Sequence, residues 1–386
     1  MKRKRLLTLL GSVCLAVMLL VPLAVSCGPA TPEAAEEEIA ALESEIDELE
    51  GDVAAKDAEI SDLEDEIAAL RAPAEVYEWR LQDSYGATMT GWRLDPLVAD
   101  IYEMSNGQIK ITTYPDGSLI PVEEIPDALE EGIVEMGVTY SGYYSDKIPC
   151  FSCADAAFSW QSGDDVEVVW NLLGVADIWR DAWADLGCYY LGPHMGSQCY
   201  LISTKPVETL EDLTKLKIRA IAAQAIWLEE LGASSIYYPA SELYTSLSRG
   251  IIDGLIYGGA VDAMDMGWFE VAKYVLKPSV IYPTVDDYII GLDLWNSLPE
   301  SLQTIITAAV VKNSRFCYLE YQEGEFIDLA KARDEMGVTV NELSPEDAAK
   351  LMVAVAKQWD VLEAQSERSA QVMDIMKGWL RTQGRL

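Results

Sequence analysis

Hydrophobic and polar residues alternate in three different ways along the chain, and each pattern predicts a different kind of segment. Residues 6–25 are largely apolar and carry no charge. From residue 39 to residue 71 the apolar residues recur at heptad positions, which is typical of a coiled coil. From residue 76 onwards short apolar runs alternate with stretches of helical periodicity, which predicts an α/β fold. We therefore expect a targeting segment, a helical stalk and a globular part.

The N-terminal segment has the features of an export signal. Four basic residues at positions 2–5 precede the apolar run, as in secretory leaders. Residues 23–27, Leu-Ala-Val-Ser-Cys, resemble a bacterial lipobox, with Ala24 where leucine is usual. We interpret residues 1–26 as a lipoprotein signal peptide and Cys27 as the residue that carries the lipid. An uncleaved membrane helix is the alternative, because about 20 apolar residues span a bilayer. Either way we expect the protein outside the cytoplasm and attached to the membrane.

Residues 27–38 are expected to form a linker and residues 39–71 a coiled-coil stalk that ends before Pro73. Isoleucine or valine at position a with leucine at position d favours a parallel two-stranded coil. The flanking e and g positions are nearly all acidic, so two copies of this helix repel each other. Self-association, a partner with basic e and g positions, a weak calcium-dependent association and a solvated spacer all stay open. The heptad residues are Ile39, Ile46, Val53, Ile60 and Ile67 at a, and Leu42, Leu49, Lys56, Leu63 and Leu70 at d.

The globular part contains two blocks in which predicted strands and helices alternate. Two such blocks predict two α/β lobes with a cleft between them. The predicted strands cover residues 76–82, 108–114, 134–138, 217–220, 235–238 and 254–257. The predicted helices between them cover residues 89–104, 121–131, 222–231 and 241–248.

One helical pattern is longer than the others. It begins at Ser297, a predicted N-cap, has Pro299 in its first turn and continues to about Glu335. Helices of globular proteins usually have about 8–20 residues. We therefore expect this helix to span both lobes. Another helix is expected to begin at Ser344, and the C-terminus is expected to be helical.

Charge and cysteine content exclude several classes of partner. The formal net charge is −36 and becomes −40 without residues 1–26, which contain four basic and no acidic residues. Such a charge argues against nucleic acid or an anionic membrane surface as a partner. Five of the seven cysteines lie in the globular part, so at least one thiol is unpaired within the chain. We interpret Cys150 and Cys153 as structural because no βαβ context surrounds them, and we leave a Cys188–Cys199 disulfide open.

The sequence has few candidates for catalysis. His194 is the only histidine, and the chain has no G-x-S-x-G, H-E-x-x-H or G-x-x-x-x-G-K motif. We therefore predict that the protein is not an enzyme and needs no metal or cofactor. A membrane-anchored α/β hydrolase, which would need a nucleophile and a base, is retained as an alternative.

Arg219 is the strongest candidate for ligand binding. It ends an apolar strand, and in open α/β sheets ligands bind at the carboxyl ends of strands. Its planar guanidinium matches a carboxylate. An internal ion pair with one of the many acidic residues is the alternative. Aromatic residues that suit a small-ligand cleft follow two other strand ends. They are Tyr140, Tyr143, Tyr257 and Trp268.

Three separated motifs together resemble the solute-binding proteins of tripartite ATP-independent periplasmic (TRAP) transporters, over about residues 76–386. The first motif covers residues 107–119 and continues into 128–137, the second covers 209–219 and the third 241–254. The resemblance implies a two-lobed periplasmic-binding-protein-like fold that closes on its ligand, with a long helix through both lobes. Lobe 1 is expected over residues 76–197 plus about 283–325. Lobe 2 is expected over residues 198–282 plus about 326–386.

The resemblance also implies the function. Such proteins deliver a solute to a membrane permease driven by an ion gradient, and the family's carboxylate-binding arginine falls on Arg219. Tyr257 replaces an asparagine of many acid-sugar and dicarboxylate members, which makes the chain more similar to the keto-acid-binding branch. That branch implies contacts from Gln198 and Tyr85. Ile256 stands where some members have a metal-binding glutamate, so we expect no metal here.

We therefore expect a small carboxylate as the ligand, either a 2-keto acid, a 2-hydroxy acid or a dicarboxylate. A surface scaffold that works through its coiled coil is one alternative. A receptor that feeds a signalling protein without a permease is another.

Overall fold

The structure is a computed structural model that describes residues 32–70 and 76–386. They belong to two compact units, one on each side of residues 71–75. The predicted signal peptide, the predicted lipidation site Cys27 and residues 28–31 of the predicted linker lie outside the described residues, whereas residues 32–38 of that linker are helical. Within the described residues, no helix is both long and apolar enough to cross a membrane.

The elements are numbered in chain order. The strands are β1 (Tyr77–Asp83), β2 (Ile109–Tyr114), β3 (Met136–Thr139), β4 (Cys188–Met195), β5 (Cys199–Ser203), β6 (Lys217–Arg219), β7 (Ser234–Ile236), β8 (Gly254–Ile256), β9 (Tyr274–Ile281), β10 (Val285–Gly291) and β11 (Thr339–Glu342). The helices are α1 (Pro32–Leu70), α2 (Ala87–Met104), α3 (Ile125–Glu130), α4 (Gly163–Glu167), α5 (Val175–Ala184), α6 (Leu210–Leu213), α7 (Ala222–Glu230), α8 (Leu243–Ser248), α9 (Ala260–Asp265), α10 (Trp268–Val271), α11 (Leu292–Ser297), α12 (Glu300–Met336), α13 (Pro345–Glu363) and α14 (Glu367–Thr382). Tighter 3-10 turns cover Val122–Glu124, Ser141–Tyr144, Pro149–Asp155 and Ala240–Glu242, and a short π-helical turn covers Val168–Leu172.

The first unit contains α1, a single helix of 39 residues. Its apolar heptad side chains are exposed along one seam, each to about half of its surface. The association of the predicted stalk stays a prediction. The exposed seam residues are Ile39, Leu42, Ile46, Leu49, Val53, Ile60 and Leu63.

The second unit contains two sheets. The strand order of the first sheet is β2-β1-β3-β10-β4, and that of the second is β11-β9-β5-β8-β6-β7. In the first sheet β1 pairs in parallel with β2 and β3, and in the second β6 pairs in parallel with β7 and β8. Strand β10 runs antiparallel to β3 and β4. The predicted α/β fold with two sheets is therefore confirmed, although the boundaries of the predicted lobes stay a prediction.

The chain crosses between the sheets at two adjacent connections and again through the long helix α12. The first connection joins β4 to β5 and the second joins β9 to β10. They pair with each other, because Gly196 N–H donates to the carbonyl oxygen of Thr284 and Thr284 N–H donates to that of Ser197, both at 2.8 Å. Two paired crossings limit how the sheets can move against each other.

Helix α12 spans both halves of the unit, as its length predicts. It has 37 residues and contacts α2 and β4 on the side of the first sheet and α9 on the side of the second. The predicted start was wrong by a few residues. Pro299 is the N-cap, and Ser297 instead ends α11, where its hydroxyl donates to the carbonyl oxygen of Leu294.

Candidate ligand-binding site

A polar cavity lies between the two sheets, next to the carboxyl ends of the parallel strands β1, β3, β6 and β8. Its volume is about 50 Å³. One water needs about 10–15 Å³ of such space, so the cavity holds a few waters or a small ligand. The residues that line it are Ser84, Tyr85, Tyr140, Tyr143, Ala154, Asp155, Cys199, Arg219, Ile221, Gln224, Tyr257, Ile281, Thr284, Val285 and Asp286.

Arg219 enters the cavity from the end of β6. Its side chain is held by two backbone carbonyl groups: Nε donates to Tyr238 O at 3.1 Å and Nη1 donates to Ile256 O at 2.9 Å. The residue is only 2% exposed, yet in the described part of the chain no carboxylate lies within 4.0 Å of its guanidinium. The predicted alternative, an internal ion pair, is therefore absent from the described residues. A buried guanidinium without a counter-ion favours an anionic ligand.

Tyrosine rings surround the guanidinium. The centres of the Tyr237 and Tyr257 rings each lie 5.2 Å from Cζ of Arg219, within the range of cation–π attraction. Tyr140 and Tyr143 pack edge to face at 5.4 Å on the side of the first sheet. Burial raises the pKa of Tyr143, so this phenol stays neutral and can donate a hydrogen bond.

Asp286 forms part of the cavity wall and belongs to a buried polar chain. Its Oδ2 accepts a hydrogen bond from the hydroxyl of Tyr85 at 2.9 Å and lies 3.4 Å from Nδ1 of His194. On the other side of the imidazole, Nε of Arg93 donates to Nε2 at 3.2 Å. This contact assigns the imidazole proton to Nδ1, next to Asp286. Arg93 is itself paired with Asp83 at 2.9 Å, and both side chains are fully buried.

His194 is therefore a neutral spacer between a cation and an anion. Burial, and secondly the charge of Arg93, lower the pKa of His194 to about 4. It does not line the cavity, which agrees with the structural role that its isolation in the sequence predicts. Its neighbour in the cavity wall is Asp286, 3.4 Å away.

Asp155 is a second carboxylate in the cavity wall. The 3-10 turn that carries it is anchored by Phe151, which packs against Trp179 and Trp183 at 5.4 and 4.7 Å. Oδ1 of Asp155 accepts a hydrogen bond from Nε2 of Gln224 at 3.3 Å, whereas Oδ2 has no hydrogen-bond partner. Burial raises the pKa of Asp155 to about 7.

The structure brings five of the seven predicted contacts together in the cavity and places two elsewhere. Gln198 lines a neighbouring cavity with Tyr200, whose hydroxyl donates to its Oε1 at 2.6 Å. Trp268 is fully buried behind Tyr257, with the ring centres 5.4 Å apart. Trp268 therefore supports Tyr257 and does not line the cavity. The five that share the cavity are Arg219, Tyr257, Tyr143, Tyr140 and Tyr85.

Asp155, Asp286 and Gln224 also line the cavity, although no sequence motif singled them out as site residues. A signal was present for Asp286, because Asp286 and Asp287 interrupt an otherwise apolar strand. In a chain with 64 acidic residues that signal is easily overlooked.

The cysteines are all free thiols in the described part of the chain, so Cys188 and Cys199 are not joined there. Cys199 lines the cavity and donates from its thiol to the carbonyl oxygen of Tyr257 at 3.3 Å. Burial raises the pKa of this thiol, and of Cys150 and Cys153, which does not favour nucleophilic or redox chemistry. Among the described residues, no three histidine, cysteine or acidic side chains form a metal-binding group.

Residues 87–366 match the sequence model of the family described as bacterial extracellular solute-binding protein, family 7. The chain belongs to this family, which confirms the predicted solute-binding function and the location outside the cytoplasm. A curated relative is the monocarboxylate 2-oxoacid-binding periplasmic protein of Nostoc sp. strain PCC 7120. It is 26% identical over 307 residues, which cover 78% of this chain and 82% of that protein.

Solved structures of TRAP solute-binding proteins have the same fold. One, from Pseudoalteromonas atlantica T6c with bound sodium and pyruvate, gives a TM-score of 0.73 at 22% identity and covers 80% of this chain and 95% of its own. Another, from Chromohalobacter salexigens DSM 3043 with bound (S)-(+)-2-amino-1-propanol, also gives 0.73, at 20% identity over 80% and 97% of the two chains. The resemblance inferred from the three sequence motifs is thereby confirmed.

Proposed function

We propose that the protein captures a small carboxylate in the cavity at Arg219 and delivers it to a TRAP permease. The observation that carries this proposal is the buried, oriented Arg219 guanidinium without a carboxylate partner among the described residues. Charge-assisted hydrogen bonds between arginine and a carboxylate are short and about twice as strong as neutral ones. Relatives named for 2-oxoacid and pyruvate binding support a small organic acid as the ligand.

The tyrosines of the cavity would contact the rest of the ligand. Tyr257 comes from the second sheet, and Tyr85, Tyr140 and Tyr143 come from the side of the first. A ligand held by both sides binds the closed arrangement better than an open one and so increases its population. Closure also removes the carboxylate and Arg219 from water, which strengthens their attraction.

The lipobox-like sequence before Cys27 supports attachment to the membrane through a lipid, where a permease is within reach. We assign no catalytic activity, because the polar groups of the cavity include an anion-binding arginine but no activated nucleophile. The stalk α1 would serve as a spacer or as an oligomerisation element.

A thermal-melt screen of the full-length protein tests this proposal. The panel contains 2-oxo, 2-hydroxy, 2-amino and dicarboxylic acids of two to six carbons. A ligand that binds only the folded state adds about 2.7 kcal/mol of stability at a hundredfold excess over its Kd. We expect at least one acid to raise the melting temperature of the wild-type protein and not that of Arg219→Ala. Equal shifts in both proteins would refute the assignment of Arg219.

A further inference from the structure

The charges in the cavity wall are unbalanced. Of the described residues that line it, Arg219 is the only basic one, whereas Asp155 and Asp286 are both acidic. The nearby Arg93 does not restore the balance, because it is already paired with Asp83 at 2.9 Å. A simple carboxylate would neutralise Arg219 and leave Asp286 without a counter-charge, together with Asp155 whenever that carboxyl is ionised.

Neither aspartate has a cation of its own in the described structure. Asp286 faces a phenol, Tyr85, and an imidazole, His194, which is neutral because burial and Arg93 lower its pKa to about 4. Asp155 faces the amide of Gln224, and its Oδ2 has no partner although the residue is only 1% exposed. The adjacent hydroxyl of Tyr140 also lacks a partner of good geometry. A buried carboxylate oxygen without a donor is costly, so Asp155 favours a ligand that supplies a donor.

Asp286 and Arg219 lie on opposite sides of the cavity, whereas Asp155 lies next to Gln224 of α7, the helix that follows β6. Asp286 belongs to β10 of the first sheet, and Asp155 ends the 3-10 turn whose Phe151 packs on Trp179 and Trp183. Arg219 belongs to β6 of the second sheet. A ligand with an anionic and a cationic end would therefore be attracted by both sides at once.

We propose that the preferred ligand is a small amino acid, with its carboxylate on Arg219 and its ammonium group directed towards Asp155 and Asp286. This inference rests on the proposed function and narrows the class of acid. A 2-oxo acid of the same carbon skeleton offers only acceptors to the two aspartates. A dicarboxylate brings a second negative charge against them, and a 2-hydroxy acid supplies one neutral donor.

Matched ligands measure the contribution of the ammonium group directly. We would titrate the full-length protein by calorimetry at neutral pH with L-alanine, pyruvate, L-lactate and propionate, and then with L-leucine and 4-methyl-2-oxopentanoate. In at least one skeleton we expect the amino acid to bind at least about tenfold more tightly than the oxo acid, a difference of about 1.4 kcal/mol. An oxo acid that binds more tightly than its matching amino acid in both skeletons would overturn the inference.

Variants assign the preference to the aspartates. Asp286→Asn and, separately, Asp155→Asn are expected to weaken amino acid binding at least about tenfold and to leave oxo acid binding unchanged or stronger. Asp293→Asn is the control, because Asp293 follows β10 in the chain, is exposed and does not line the cavity. We expect it to bind both ligands as the wild-type protein does. Equal losses for both ligand types in the two test variants would contradict the inference.

Failure of the inference and failure of the proposed function give different results. If oxo acids bind best and Arg219→Ala abolishes their binding, the proposed function stands and the amino acid assignment is wrong. If acids bind equally well to wild-type protein and Arg219→Ala, or if none binds, both are wrong.

Discussion

Arg219 donates from Nη1 to the backbone carbonyl oxygen of Ile256 at 2.9 Å. Ile256 ends β8, the strand next to β6 in the second sheet, so the sheet itself fixes the direction of the guanidinium. Nε is fixed in the same way by Tyr238 O at 3.1 Å. The side chain is thus ordered before a ligand arrives, which reduces the entropy that binding loses. Backbone carbonyls orient the arginine without neutralising it.

The pair formed by Asp83 and Arg93 should be essential for stability. Both side chains are fully buried, so Asp83→Ala leaves an uncompensated buried charge and is expected to reduce the free energy of unfolding by about 3–5 kcal/mol. Asp100→Ala is the matched control. It breaks the exposed pair with Lys312 and should cost less than about 1 kcal/mol. Urea unfolding of the two variants checks this difference, and similar losses in both would contradict it.

Stability should increase as the pH is lowered from about 7.5 to about 5.5. Burial raises the pKa of Asp155 to about 7, of Asp262 to about 6 and of Glu325 to about 7. These three carboxyls hold protons more tightly in the folded than in the unfolded state, where their pKa is about 4. The stability that this difference adds is complete below pH 4 and is lost as the pH rises through the folded pKa values of 6 to 7. His194, with a folded pKa of about 4, acts in the opposite direction. The stability that its neutral form adds is complete above its unfolded pKa of about 6.5 and is lost as the pH falls towards 4.

The effect of the three carboxyls is larger than that of the one imidazole. The free energy of unfolding is expected to increase by about 3 kcal/mol from pH 7.5 to pH 5.5. Chemical unfolding measured at both pH values checks the sign. Glu325→Gln is the control variant, because glutamine keeps an acceptor for the N–H of Ala260, which lies 2.7 Å from Oε2. It should reduce the pH dependence. Greater stability at the higher pH would contradict the account.

The main features of the fold and the place of Arg219 at a strand end in the cavity could be predicted from the sequence because both follow from local patterns. Alternating strands and helices define the two sheets, and Arg219 stands at the end of an apolar strand. The predicted start of α12 was wrong because serine and proline are both common at helix starts. Ser297 is instead the last residue of the short helix α11, and Pro299 is the N-cap of α12.

The remaining site residues could not be predicted because they depend on long-range placement. Asp155 and Asp286 are 131 positions apart and reach one cavity only through the topology of the first sheet and the tryptophan cluster. Gln198 lies in a crossing between the sheets and lines the neighbouring cavity instead. No local pattern specifies which cavity it lines.

Self-association through α1 should depend on salt. The exposed apolar seam favours association, whereas the acidic e and g positions oppose it. The Debye length falls from about 30 Å at 0.01 M to about 3 Å at 1 M salt, so high salt screens the repulsion. We expect sedimentation to show a monomer at low salt and oligomers at high salt.

Lys56→Leu provides the matched variant for the stalk. It completes the apolar seam at the one polar d position and removes a side chain that pairs with Glu59 at 2.7 Å. Stronger association at the same salt concentration is expected. A molecular mass that changes neither with salt nor with this variant would identify α1 as a solvated spacer.

The most direct test of the account is calorimetric titration of Arg219→Lys beside the wild-type protein, with the acid that binds best in the screen. Lysine keeps the charge but cannot hold two carbonyl oxygens and present a planar fork to a carboxylate. We predict that Arg219→Lys loses affinity at least tenfold, about 1.4 kcal/mol. The control is Arg249→Lys, whose side chain is exposed and whose melting temperature should be unchanged. Wild-type affinity in Arg219→Lys would contradict the claim that this arginine binds the ligand's carboxylate.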